Sequence, residues 1–211
     1  MTHTLHRQGS LLDLREDFVV FSMACQSVNA RGSVPKIRKI FEIIEKYQPV
    51  NFGDVKTGNC FKATKEAMEG NFQENSYIHF VFTSKEIVGK VLRDLKKADV
   101  GLSVVVSGVV NDIDQLCRQA GLKVHTVEFS GGIYGRTDRL TEGPVLEITT
   151  MCGHGLIAGN LVKHLVKQVR KGKKKAEEAA CELARQCQCG VFNPQRALHL
   201  IEQLSKKDHL A

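Results

Sequence analysis

Residues 151–190 read MCGHGLIAGNLVKHLVKQVRKGKKKAEEAACELARQCQCG, and their helix grammar folds two distant groups of soft ligands back toward each other. After Cys152-Gly153-His154-Gly155, apolar side chains recur at Ala158, Leu161, Val162, Leu165, Val166 and Val169, the spacing of an amphipathic helix. Gly172 is placed to end that helix. Ala176, Ala179, Ala180, Leu183, Ala184 and Cys187 then occupy one face of a second helix. Gly190 can end the second, and Asn193-Pro194 opens a third, with asparagine as cap and proline at the first helical position.

Two helices joined by so short a turn pack antiparallel. At a rise of about 1.5 Å per residue they differ in length by only about one turn. The end of the second therefore returns to the start of the first, which predicts that Cys187 and Cys189 lie near Cys152 and His154. Cys181 stands about 100° round the helix from Ala180 and points elsewhere.

Thiolate and imidazole are zinc ligands, and three or four thiolates can hold an iron-sulfur cluster. The chain has no CxxC pair and no ferredoxin-type run, so the pattern is not a motif match. A helix N-terminus lowers the pKa of a cysteine beside it, which would favour the Cys152 thiolate as metal ligand or as nucleophile. The plain alternative is buried structural cysteine, since free cysteine is among the most buried residue types.

Upstream, strands and helices alternate. Residues 17–25 read as a buried strand, and Ser33-Val34-Pro35 opens an amphipathic helix that Pro49 stops. A turn-rich segment, residues 50–59, leads into a short helix ending near Gly70. Residues 77–83, 102–107 and 122–129 read as strands, with helices over 84–97 and 111–120 between them, and residues 145–150 as a further strand. Such alternation predicts βαβ units and a mostly parallel sheet with flanking helices, followed by the antiparallel helical hairpin and one further helix. No linker divides the chain. The expectation is a single α/β domain over residues 1–211, with residues 151–211 as a C-terminal helical segment packed on it. Were the strands parallel, Cys25 would reach the same sheet edge as Cys152 and become a further metal ligand.

The chain has 211 residues, 42% of them hydrophobic, enough for a substantial core. Residues 1–17 lack the apolar stretch of a signal peptide, and no apolar run approaches membrane-spanning length. The expectation is a cytoplasmic protein with no membrane partner. In that compartment its seven cysteines would serve metal binding or catalysis rather than disulfides. The formal net charge is +7. Lys163, Lys167, Arg170, Lys171, Lys173, Lys174 and Lys175, uninterrupted by any acid, account for the whole excess. They surround the hairpin turn, at the end opposite the cysteines, as solvated cations that complement a helix C-terminus. No aromatic residues interleave them as a base-stacking platform requires, which argues against nucleic acid as partner.

Two other segments carry candidate chemistry. Ser130-Gly131-Gly132-Ile133-Tyr134-Gly135-Arg136-Thr137-Asp138-Arg139 joins permissive backbone to two guanidiniums, so Arg136 and Arg139 are candidate holders of a small anionic substrate. Asp54 and Lys56, flanked by glycines, are a candidate acid/base pair, against the simpler role of turn residues. Gly153-His154-Gly155 follows an apolar run, but no later strand with an acidic residue completes a dinucleotide fingerprint. Walker A, GxSxG, HExxH and EF-hand patterns are absent.

These residues lead to a metal- or iron-sulfur-dependent enzyme of lyase or hydrolase type. Its metal would be held by Cys152, Cys187 and Cys189 with His154 or Cys25, acting as Lewis acid on a small anionic substrate. One alternative is a metal-free enzyme with Cys152 as nucleophile. Another is a non-catalytic basic module binding nucleic acid or protein through residues 163–175.

Overall fold

The computed structural model describes residues 2–141 and 143–206. Its strands are β1 (Phe18–Met23), β2 (Asn51–Asp54), β3 (Gly58–Asn59), β4 (Ile78–Phe82) and β5 (Ser103–Ser107). They form one sheet in the order β3-β2-β4-β1-β5, and every neighbouring pair is antiparallel. The mostly parallel sheet expected from the sequence is therefore wrong. The reason lies in which strands become neighbours. β1 and β2, joined by helix α2 (Val34–Glu45), do run in the same direction, but β4 lies between them. β4 and β5, joined by helix α4 (Lys85–Ala98), also share a direction, with β1 between them. Two βαβ units are thus interleaved in a split β-α-β-β-α-β arrangement, which turns every ladder antiparallel.

Two expected strands are not strands. Residues 145–150 lie in helix α6 (Gly143–Thr150), where Val145 and Ile148 are buried at helical spacing. A short apolar run has no period long enough to separate the two readings. Residues 122–129 carry no regular structure and are mostly exposed. The turn-rich segment, conversely, contains the β2–β3 hairpin.

Side-chain alternation assigns each face of the sheet to a separate core. Phe18 and Val20 of β1, with Ile78, Phe80 and Phe82 of β4, face α2, α4 and helix α5 (Val110–Gln119), together with Met68 of helix α3 (Lys65–Gly70). Val19, Phe21, Val81 and Val105 face the opposite way. That face is covered by α6 and the helices α7 (Gly159–Arg170), α8 (Ala176–Gln186) and α9 (Pro194–Lys206). The molecule is a three-layer α/β/α structure. α7 and α8 pack together across a turn in which Gly172 takes a φ of 65°. No helix among the described residues is long and apolar enough to cross a membrane.

A buried ionic network fastens the C-terminal helices to the sheet. Asp17, fully buried just before β1, accepts from Arg196 Nη1 of α9 at 2.9 Å and from Asn193 Nδ2 at 3.1 Å, and Arg7 Nη1 stands 3.5 Å away. The other amino group of Arg196 reaches Glu147 of α6 at 2.9 Å. Asn193 also caps α9, its Oδ1 accepting from Arg196 N at 3.0 Å. Removing one partner strands the rest in a medium that cannot solvate them. Arg196→Ala is expected to cost roughly 3–5 kcal/mol, read as a lowered urea midpoint at unchanged slope; a cost under about 1 kcal/mol, the worth of an exposed pair, would show that the network does not anchor α9.

Asp112, in the first turn of α5, links two further elements. It accepts from Lys85 Nζ of α4 at 2.8 Å and from Arg15 Nε, beside helix α1 (Leu11–Leu14), at 2.9 Å. Its hydrogen bond from Lys85, outweighing the opposing effect of burial and aided by Arg15, holds its carboxyl below the usual range. The stabilisation is therefore present above the unfolded-state pKa of about 3.9 and lost as pH falls through the lower folded value. In acid titrations followed by circular dichroism, Asp112→Asn should lower stability at pH 7 and flatten its decline below about pH 4. Parallel curves for variant and parent would contradict this.

Candidate functional site

At the seam between the sheet and the C-terminal layer, three cysteines and three histidines gather. The α6–α7 connection supplies Cys152 and His154, and the α8–α9 connection supplies Cys187 and Cys189. The Sγ atoms of Cys187 and Cys189 are 4.0 Å apart, and Cys189 Sγ lies 3.7 Å from His154 Nδ1. Cys152 lies in the same buried cluster as Cys187 and Cys189, and Cys187 is the neighbour that most raises its pKa. The three thiols are at most 2% exposed, whereas His154 faces solvent. The residues that hairpin grammar predicted to converge are thus brought together.

Two further histidines join them. His3, from the N-terminal 3-10 turn Thr2–Thr4, stacks on His154 with ring centroids 4.8 Å apart and planes inclined by 23°. It meets His79 of β4 edge-on, at 5.2 Å. His79 is 1% exposed and packs beside Phe21, on the face that receives the C-terminal helices. Sequence reasoning missed both. No spacing links residue 3 or 79 to residues 152–189, and only the strand register shows which way His79 points.

Close backbone contact holds the thiols in place. Gly190, at a φ of 78°, packs so tightly on β2 that a Cβ would stand 2.5 Å from Gly53 N. A Cβ on Gly53 would stand 3.0 Å from the Cys189 carbonyl oxygen. Asn59 Nδ2 donates to the carbonyls of Cys187 and Ala184, the latter at 2.8 Å, and Asn51 Nδ2 donates to Phe192 O at 2.8 Å. Gly153 in turn packs against the His3 backbone so closely that any Cβ would overlap its carbonyl. The sheet therefore grips one connection through glycine and asparagine, and the N-terminal turn grips the other.

Electrostatics grade the thiols. The Cys152 thiol is pushed strongly upward by its hydrogen bond to Cys187 and by burial. At Cys187 the bond from Cys152 lowers the pKa, but its own bond to Cys189, with burial, outweighs that and lifts it to about 11. Cys189 accepts from Cys187 and is lowered. The protons thus run along the chain toward Cys189, the easiest of the three to ionise. Burial lowers His3 and His154 and takes His79 to about 3, so these imidazoles are neutral at pH 7.

The remaining candidates lie apart from this cluster. Cys25 is exposed beyond the end of β1, in contact with Ser27 of its own loop. The antiparallel sheet removes the argument that took it to Cys152. Asp54 is fully buried, and its Oδ2 accepts from Lys56 N at 3.1 Å and Thr57 N at 3.2 Å, while its Oδ1 has no partner among the described residues. The Lys56 ammonium turns away to Gln73 and Asn75. Arg136 forms a two-pronged, exposed bond to Asp138 at 2.9 and 3.0 Å, and Arg139 ends the 3-10 turn Thr137–Arg139 in the same exposed segment. A groove of about 1280 Å³ runs between β5 and residues 122–130 and includes none of the clustered cysteines.

Among the described residues, no three His, Cys, Asp or Glu side chains form a ready-made metal-holding group. No family model matches the chain, and neither a curated protein nor a solved structure is significantly similar to it.

The glycine seam is open to test by comparing two left-handed positions. At Gly172, φ 65°, a Cβ would meet nothing within 4 Å among the described residues, so Gly172→Ala carries only backbone strain of about 1 kcal/mol. Gly190→Ala adds the collision with β2 and is expected to cost about 2–4 kcal/mol. It should also open Cys187 and Cys189 to a thiol reagent in the native state. Equal costs for the two variants would show that the seam yields.

Proposed function

We propose that the chain is a metal-dependent protein in which Cys152, Cys187, Cys189 and His154 hold a soft divalent ion, zinc by the nature of the ligands. One observation carries this reading: the spacing of the donor atoms. Zinc bound to sulfur at about 2.3 Å with tetrahedral angles puts two thiolates roughly 3.8 Å apart, and a thiolate and an imidazole nitrogen roughly 3.6 Å apart. The corresponding distances are 4.0 Å for Cys187 to Cys189 and 3.7 Å for Cys189 to His154. Two edges of the tetrahedron are close to length, and Cys152, buried in the same cluster, would have to turn toward the ion to complete it.

The same spacing favours a single ion over a four-iron cluster, whose cysteines bind different irons and stand further apart. Three buried thiolates and one imidazole make a closed donor set, which is the character of a structural site. Its metal would supply a cross-link between the α6–α7 and α8–α9 connections. The metal-free reading, with Cys152 as nucleophile, has less support because that thiol is 2% exposed and hard to ionise.

The test is metal content after anaerobic purification with zinc present. Cys187→Ala and Cys189→Ala should weaken zinc binding by more than the roughly 10–100-fold that loss of an outer-shell partner costs. Cys181→Ala and Cys25→Ala should bind as the parent does. Full zinc affinity in Cys187→Ala would overturn the assignment.

A further inference from the structure

The two histidines that no sequence pattern announced are left without partners in a telling way. His79 is 1% exposed, yet among the described residues its Nδ1 has no hydrogen-bond partner, and the same holds for the buried Nε2 of His3. A buried polar atom left unpaired costs about 1–3 kcal/mol, and here two stand on adjacent rings. A neutral imidazole carries a proton on one nitrogen and a lone pair on the other, and it is the lone pair that binds metal.

The ring geometry agrees. Two imidazoles on one tetrahedral ion, each nitrogen about 2.0 Å from it, place their ring centroids roughly 5 Å apart. His3 and His79 stand 5.2 Å apart, with planes inclined by 79°. Stacked rings could not share an ion in this way, which sets this pair apart from His3 and His154. Both rings are held from outside the pair. His79 is fixed by its ladder, opposite Phe21 on one side and Gly53 on the other. His3 is fixed by its contact with Gly153, by the 2.6 Å bond between the Thr4 and Ser107 hydroxyls, and by Arg7, which donates to Met151 O at 2.9 Å and to Val191 O.

We propose that His3 and His79 form a second divalent-metal site beside the thiolates, with positions left open to water or a small ligand. It rests on the thiolate reading only for its neighbourhood, since its ligands are different residues. An ion on two imidazoles would keep positions open, where a bound water or carbonyl could be polarised. The closed thiolate set beside it has the character of a structural one.

Cobalt(II) titration of the full chain tests this, because thiolate-bound cobalt shows a sulfur-to-metal charge-transfer band and imidazole-bound cobalt does not. The parent should take up two equivalents. His3→Gln, at a half-buried position that the fold tolerates, should take up one and keep the charge-transfer band. His79→Gln should behave in the same way. Cys189→Ala should lose or weaken the band and retain the equivalent that His3 and His79 bind. An equal number of equivalents in parent and His3→Gln would overturn the second site, whatever becomes of the band. A parent without the band, in which His3→Gln still loses one equivalent, would instead overturn the thiolate reading and leave this one standing.

Discussion

The buried carboxylate of Asp17 is the constraint around which the C-terminal half is arranged. It has no exposure, so its charge has to be met within the protein, and two guanidiniums and an asparagine amide from other parts of the chain meet it. A charge taken out of water is tolerable only when its partners are complete and well placed. That requirement selects one docking of α9, through Arg196, and one course for the N-terminal segment, through Arg7. Because Arg196 also reaches Glu147 on α6, the network specifies the relative placement of α6, α9 and the sheet. Apolar packing alone would tolerate several such placements.

The thiol cluster lies where that docking leaves the α6–α7 and α8–α9 connections. Its precision comes from a second device, the removal of side chains. Gly53 and Gly190 let two backbones approach to a distance at which no Cβ fits, and Asn51 and Asn59 satisfy the carbonyls buried by that approach. Buried backbone acceptors have to find donors. Amide side chains on a neighbouring strand can supply them where no ladder continues. The sheet thus acts as a template for the loop that carries Cys187 and Cys189.

What could be read from the sequence divides along the distance over which the information is local. Cys152 and Cys187 are 35 positions apart, but two helices and a glycine turn of ordinary length join them, so local periodicity and capping sufficed to bring them together. α2, α4 and α5 were legible for the same reason. Strand neighbours were not. The β-α-β order shows that β1 and β2 run the same way, yet says nothing about β4 entering between them, and that insertion reverses the character of the whole sheet. His3 and His79 were invisible on the same ground, since their meeting depends on ladder register and on where an N-terminal turn docks. Residues 145–150 failed differently: six residues with an apolar start satisfy strand and helix alike, and the burial of Val145 and Ile148 on one helical face decides between them.

On the proposed assignment, metal and fold stabilise one another through a single geometric fact. Three thiols buried side by side cannot all ionise without a cation, since each charge raises the cost of the next in a medium of low polarity. Left protonated, they form a hydrogen-bonded chain that contributes little to stability, sulfur being a weak donor and a weak acceptor. A divalent ion would replace those protons and tie the two connections to each other, where the sheet and the N-terminal turn hold each of them separately, so its binding free energy would add to the docking of the C-terminal layer. The Asp17 network is built to stand without it. The ionic network and the thiolate site would then fix the C-terminal layer through different residues, the one through α9 and α6 and the other through the connections that flank α7 and α8.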